Sequence, residues 1–343
     1  MSYTQAFELI NNGDASSAFR LNSVSLSSPA TDEIQIEVEA FGLNYADVMA
    51  RRGLYRECPP LPTVIGYEVV GKVIKSGSQE NEHLIGERVV AFTRFGGYSQ
   101  IVNTKVLAIA VIDQMDVGEA LSLATQYVTA FYMSNYITNV HKGERVLVHA
   151  AAGGVGTALV QLLKGKGAIV FAKTGSNEKI PYLKNLDVDT IINYNTQDYE
   201  KQISEELKNE RLDVVFNPVA GSTFKKDLRL LGAGGRLILF GGSERSGKKW
   251  GIFSTLNFIR KMGLLLPIGL MMRSKSVIGV NMLKVADYKP LVLNECLKNV
   301  VTLAQSGKIQ PKVGAKYTSN ELHKAHDHLE SGKSVGKVYV VWK

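Results

Sequence analysis

A chain of 343 residues with 45% apolar and 21% charged side chains has the composition of a soluble globular protein, long enough for two ordinary domains. Two cysteines, Cys58 and Cys296, exclude a disulfide framework and a cysteine-rich metal site. No apolar run reaches the ~18–20 residues that span a bilayer, and the opening MSYTQAFELINNGD reads as no secretory leader, so a cytoplasmic location is expected. The net charge of +8 is unevenly placed. Between Gly241 and Ser276, Arg245, Lys248, Lys249, Arg260, Lys261, Arg273 and Lys275 stand against one acid, Glu244, a local excess of +6.

To about Ala124 the chain reads as short strands and turns. DEIQIEVEAFGLN alternates, EVVGKVIKSGS ends in a Gly-Ser turn, and GERVVAF and GGYSQIVN follow. Such a series predicts an antiparallel, barrel-like domain. From Thr125 the pattern becomes alternately helical and extended. QYVTAFYMSNYI predicts a helix, and TIINY, LDVVFNPV and GGRLILFGG predict strands, with the helix QDYEKQISEELKNE among them. That alternation predicts a doubly wound parallel sheet. The tail supplies helices LVLNECLKNVVTLAQSGKI and ELHKAHDHLESG and a last strand, GKVYVVW, which return to the first domain.

Within the second region, VLVHAAAGGVGTALVQLLKGKGAIVFAKTG reads as strand, glycine turn, helix, strand. Val155, Leu159, Leu162 and Leu163 share one helical face. Ala151, Gly153 and Gly156 fill the three positions of a G-x-G-x-x-G pattern, with Gly154 as an extra glycine. This turn lies after a strand and before a helix, where bare amides at a helix N-terminus favour an anion. Ala152, Gly153, Gly154, Val155 and Gly156 are therefore expected to meet a dinucleotide pyrophosphate.

FGLNYADVMARRGLY, PPLPTVIGYEVVGKV, FTRFGGYSQIV, HAAAGGVGTA and SGKIQPKV together resemble the zinc-independent quinone oxidoreductases of the medium-chain dehydrogenase/reductase superfamily. The resemblance runs through essentially the whole chain in order. RRGLYRECPPLP, RFGGY, NTQDY and the basic stretch before KSVIGVN are most similar to the vesicle amine transport protein-like branch. It implies an α/β protein: a GroES-like β-rich catalytic domain over residues 1–124 and 288–343, interrupted by a Rossmann domain over residues 125–287. It also implies an active site in the cleft between the domains, NADPH as cofactor and a homodimer.

Zinc-using relatives place Cys where this chain has Asn44 and His where it has Tyr67, and neither replacement is a usual zinc ligand. No zinc is expected. His141, His149, His323, His326 and His328 lack metal-site spacing, and surface or core roles are expected for them. Without a Lewis acid the substrate must carry its own electron sink, as a quinone or an α,β-unsaturated carbonyl does. Donors near the developing oxyanion and a proton source then suffice. Asn44, Asp47, Tyr55 and Tyr67 are the candidates. Structural readings stand beside them: Asn44 as a turn or cap residue, Asp47 as the N-cap of VMARRG, and Tyr55 as a packing partner of Pro59 and Pro60.

The second strand of the glycine unit ends in KTGS, with no acid before Glu178, which argues against a ribose 2′-hydroxyl site. Lys173, Ser176 and Lys179 offer cations and a hydroxyl to a 2′-phosphate, or are ordinary surface groups. By resemblance Lys179 and Tyr194 match the phosphate-binding Lys and adenine-side Tyr of the family, and Thr129, Gly241 and Asn281 match further cofactor contacts. Relatives often have Gly at Lys173 and Asp at Asn217.

In Gly247–Lys275, Trp250, Phe253, Leu256, Ile259 and Met262 recur at helical spacing, and Gly263 and Pro267 break the run. The expected role is a cover over the active site or a dimer contact, and peripheral attachment to an anionic membrane near Lys248 is the second reading. No basic, aromatic-interleaved motif supports a nucleic-acid partner. The function expected is NADPH-dependent reduction of a quinone or α,β-unsaturated carbonyl. Its alternatives are a 2-enoyl thioester reductase, or a nucleotide-binding membrane-associated or interaction protein with little turnover.

Overall fold

The computed structural model describes residues 2–245 and 251–342, with side chains for all of these except 245 and 251–254. Sixteen strands lie among the described residues. Eight come first: β1 (Ser2–Leu9), β2 (Phe19–Leu26), β3 (Glu33–Leu43), β4 (Thr63–Val64), β5 (Glu68–Ser76), β6 (Arg88–Phe92), β7 (Ile101–Lys105) and β8 (Ile109–Val111). Six follow: β9 (Arg145–Val148), β10 (Ile169–Thr174), β11 (Thr190–Asn193), β12 (Leu212–Asn217), β13 (Leu231–Leu239) and β14 (Ser276–Gly279). The last two are β15 (Val313–Thr318) and β16 (Lys337–Val341). The chain forms two compact units, Met1–Thr129 with Met282–Lys343, and Ala130–Asn281.

The first unit holds a three-stranded sheet, β2-β1-β4, and a larger one ordered β15-β16-β3-β5-β6-β8, with β7 also on β3. All pairs are antiparallel except β15 with β16. β3 explains why. Ile34, Ile36 and Val38 are buried while Glu37 and Glu39 reach water, the alternation of a half-covered strand. From Ala40 to Leu43 every residue is buried, because β16 lies alongside and pairs Tyr339 with Gly42. Phe41, Leu43, Ile65, Val69, Tyr98 and Val340 share one core there.

The second unit is a six-stranded, wholly parallel sheet ordered β11-β10-β9-β12-β13-β14. Val146, Leu147 and Val148 are fully buried, as are Val214, Val215 and Phe216, which fits strands covered on both faces. Helices Gly154–Gly165, Ile180–Asn185, Tyr199–Leu207 and Phe224–Leu230 connect successive strands. β9 continues to β10 on one side and borders β12 on the other, so strand order reverses between β9 and β12. In doubly wound sheets the carboxyl ends at such a reversal are where ligands bind.

Three expectations are refined. QYVTAFYMSNYI is helical, but Leu123–Tyr127 and Tyr132–Ile137 wind as wide π turns around Val128–Phe131. Asp47 is not an N-cap: Asn44 occupies that position of the helix Tyr45–Arg51, and Asp47, three residues on, accepts from the Asn44 backbone N–H at 2.8 Å. The basic stretch forms helices Gly251–Met262 and Pro267–Arg273, separated at Gly263, whose φ is 74°. Its apolar face is divided: Met262 packs against the core of the second unit, whereas Leu256 and Ile259 are exposed. Lys248, Lys249 and Trp250 lie outside the described residues, and the side chain of Phe253 is not described.

Candidate functional site

β9 stops at Val148, two residues short of the strand that RVLVHA suggests, and His149 opens the loop. Ala150 takes a left-handed φ of 51°, and the Ala151 N–H donates to the Lys173 carbonyl at 3.0 Å, holding the loop against β10. Gly153 is the N-cap of Gly154–Gly165, with no side chain on its amides. A Cβ on Gly156 would collide with the Ala150 carbonyl and come within 2.7 Å of the Ala151 Cα. Only glycine allows the helix to pass so close to the loop. The result is a cradle of backbone N–H groups in the first turn of a twelve-residue helix.

Beneath that cradle lies a buried polar network centred on Asp227. Its Oδ1 accepts from His149 Nε2 at 3.0 Å and from the Tyr199 hydroxyl at 2.9 Å. Its Oδ2 accepts from Asn217 Nδ2 at 2.5 Å. The Asn217 Oδ1 in turn accepts from the N–H groups of Val219 and Ala220, fixing the loop after β12. A Cβ on Gly241, after β13, would lie 2.6 Å from the Pro218 carbonyl of that loop. His149, Asn217 and Asp227 are all fully buried or nearly so. Burial holds the His149 imidazole below its ordinary pKa despite Asp227, and raises the Tyr199 phenol.

Lys173 is not a surface cation. It is 5% exposed, and its Nζ lies 3.3 Å from His149 Nδ1 and 3.9 Å over the ring of Tyr199. Burial lowers its pKa to about 8, with Asp227 opposing. Ser176 accepts from the Glu178 N–H at 3.2 Å as the cap of a short turn ending at Lys179, which is partly buried. Tyr194 is half exposed, its hydroxyl against Gly175. In their own settings Thr129 is buried, donating to the Thr125 carbonyl at 2.6 Å, and Asn281 is exposed.

In the first unit, Asn44 Nδ2 donates to Glu68 Oε1 at 2.9 Å, and the same oxygen is ion-paired to the Lys337 ammonium. Lys337 also donates to the Asn44 Oδ1 and the Leu43 carbonyl, each at 3.3 Å. Glu68 and Lys337 are fully buried, and a Cβ on Gly42 would collide with both. One N–H of the Asn44 amide is thus already committed to Glu68, and the second is left to donate elsewhere. Asp47, also fully buried, keeps Oδ1 without a hydrogen-bond partner. Burial raises its pKa to about 8, the Asn44 N–H opposing and Glu68 adding. Tyr67 is buried with no hydrogen-bond partner for its hydroxyl, and its ring meets Tyr55 edge-on with centroids 6.2 Å apart. Burial and Glu57 raise the Tyr55 phenol to about 12, so it begins as a weaker acid than a tyrosine in water.

The structure brings Asn44, Asp47, Tyr55 and Tyr67 into one region of the first unit. It also adds residues that sequence patterns passed over: Lys337, Gly42, Tyr199 and Asp227. A histidine directly after an apolar buried strand was the one available signal for the second network.

Residues 30–109 match the alcohol dehydrogenase GroES-like domain, and residues 154–298 the zinc-binding dehydrogenase family. The synaptic vesicle membrane protein VAT-1 homolog of Mus musculus is 29% identical over 316 residues, 92% of this chain and 77% of that protein. Among solved structures, the Escherichia coli quinone oxidoreductase complexed with NADPH superposes with a TM-score of 0.84 at 26% identity, covering 98% of this chain and 99% of its own. The CurK enoyl reductase does so at 0.83 and 26%, covering 99% of each. With its β-rich GroES-like unit and its parallel Rossmann-like sheet, the chain belongs to the oxidoreductases of the medium-chain dehydrogenase/reductase superfamily, on the vesicle amine transport protein-like branch.

Proposed function

We propose that the protein is a zinc-independent, NADPH-dependent reductase acting on quinones or α,β-unsaturated carbonyls. The observation that carries the reading is the donor set at Asn44, Tyr67 and Glu68. An amide, a phenol and a carboxylate already paired with the Lys337 ammonium do not fit a catalytic zinc ion. The zinc named in the matched family therefore enters no step here.

The dinucleotide fits better. The amides of Gly154, Val155 and Gly156 suit a pyrophosphate, which Ala152 and Gly153 approach through backbone alone. Ser176 and Lys179 suit a 2′-phosphate, Tyr194 an adenine, and Thr129, Gly241 and Asn281 the remaining contacts. Lys173 has a different task in this reading, since its ammonium faces inward. NADPH supplies hydride when bound. Asn44 and the buried Tyr67 hydroxyl orient an acceptor oxygen, and Tyr55 donates to it. Asp47, raised to about 8, can hold a proton at neutral pH. The E. coli quinone oxidoreductase complexed with NADPH supports both cofactor and substrate class.

The CurK enoyl reductase supports a second reading, reduction of a 2-enoyl thioester by the same groups. We further propose a homodimer. The exposed Leu264, Met271 and Met272 beside Arg273 suit a cover, a subunit contact or, as the second reading, an anionic membrane surface. Steady-state NADPH oxidation against quinones, enals and enoyl thioesters, before and after dialysis against a chelator, tests the proposal. Turnover unaffected by the chelator is expected. Activity lost to the chelator and restored by Zn²⁺, or no turnover on any of the three classes, would overturn it.

A further inference from the structure

A lysine ammonium taken out of water loses hydration that few contacts replace, so its burial calls for a compensating arrangement. Around Lys173 every neighbouring element contributes a group. His149 comes from the end of β9, Tyr194 from the end of β11, and Asp198 and Tyr199 from the start of the helix Tyr199–Leu207. Lys226 and Asp227 come from Phe224–Leu230, and Glu244 from the turn after β13. Asp227 as a carboxylate only accepts, so His149 donates through Nε2–H and its bare Nδ1 accepts from Lys173. The chain Lys173–His149–Asp227 therefore carries one positive and one negative charge across a neutral ring.

Lys173 reaches the dinucleotide turn by two routes. Its carbonyl accepts from the Ala151 N–H, and its ammonium holds the ring of His149, one residue before Ala150 and its left-handed φ. A third contact, 4.9 Å to the ring of the half-exposed Tyr194, ties it to the adenine side of the proposed site.

We propose that Lys173 is a positioning residue whose buried positive charge beneath the glycine turn couples dinucleotide affinity to pH. This rests on the dinucleotide reading above. When Lys173 loses its proton, the chain passes from neutral to a net charge of −1, below amides that must accept a dianionic pyrophosphate. Binding of the anion thus favours the protonated lysine, and affinity falls as pH rises through the lysine's titration near 8. His149, lowered by burial, stays neutral through this range, and Tyr199, raised by burial, stays protonated. Lys179 is also lowered by burial, but it belongs to the 2′-phosphate end, so its titration affects NADPH and not NADH.

Fluorescence titration of NADPH and NADH from pH 6.5 to 9.5 tests this, together with calorimetry in buffers of different ionisation enthalpy. For the wild-type protein, both affinities should fall by about tenfold over the range, the order expected for one buried unit charge, with net proton uptake on binding near pH 8. Lys173→Met should flatten both profiles, Lys173→Arg should shift the fall to higher pH, and Lys179→Met should leave the NADH profile unchanged. The wild-type calorimetry stands even if a variant fails to fold. Flat wild-type profiles without proton uptake, or a Lys173→Met variant with the wild-type profile, would overturn the proposal while leaving dinucleotide binding intact. If neither cofactor binds at any pH, the dinucleotide reading fails and this proposal with it.

Discussion

Replacing Lys337 by methionine removes one charge from a fully buried pair and leaves most of the side-chain volume. Glu68 then retains only the Asn44 Nδ2 donor on Oε1, and its Oε2 already has no hydrogen-bond partner. Breaking a buried pair from one side costs about 3–5 kcal/mol, because the surviving charge must be desolvated without compensation. For a unit of this size, each kcal/mol lowers Tm by ~2–4 °C, so a fall of ~10 °C is expected in thermal unfolding followed by circular dichroism. Glu68→Gln in the same chain should recover most of that loss, since an uncharged pair has no stranded ion. Raised salt should change neither result, because both side chains are inaccessible. A single variant within ~1 kcal/mol of wild type, or a double variant no more stable than the single one, would refute the reasoning.

Three further outcomes follow from the same geometry. A folded-state pKa raised to about 8 at Asp47 means that the native state holds a proton which the unfolded state releases near pH 4. Stability should therefore decline between about pH 4 and 8, and Asp47→Asn, which keeps the acceptor for the Asn44 N–H, should decline less in denaturant titrations at pH 5 and 8. Gly156→Ala must force the helix away from the Ala150 carbonyl, and dinucleotide affinity by fluorescence should fall at least ~10-fold, or ~1.4 kcal/mol, with an intact far-ultraviolet spectrum. Tyr55→Phe and Asn44→Ala should each lower kcat by ~10²-fold or less with NADPH affinity held, the Tyr55 effect being smaller on quinones, which can take the proton from water.

The fold was legible because its signals are local and redundant. β9, the glycine turn and the helix Gly154–Gly165 each follow from a short pattern, and the strand–helix alternation fixes a parallel sheet before any contact is known. Asn44 and Asp47 were legible as a pair but not in order, since either can cap a helix and only the backbone decides which one does. Lys173 was legible as a cation but not as a buried one. A lysine at a strand end reads as solvated unless the partners that bury it are known, and these lie at His149, Tyr199 and Asp227, on separate elements. Lys337 stands farther out of reach, 269 residues from Glu68, and nothing in GKVYVVW marks its lysine as buried.

Both units place a lysine against a carboxylate in their interiors, Lys337 on Glu68 and Lys173 through His149 on Asp227. Stability alone is a poor reason for either, because apolar residues of similar volume commonly serve a core as well or better. Position offers a better reason. Lys337 and Glu68 border Asn44, and the second chain borders the glycine turn, so each charge lies next to groups proposed to meet ligand rather than in the middle of a sheet. Beside Asn44 the positive charge belongs to a side chain whose place β16 sets. Such a charge cannot exchange or open a coordination position for substrate. In the function proposed above, polarisation of the acceptor then falls to hydrogen-bond donors and to the acceptor's own conjugation, so the proposed substrate class and the Glu68–Lys337 pair belong to the same argument.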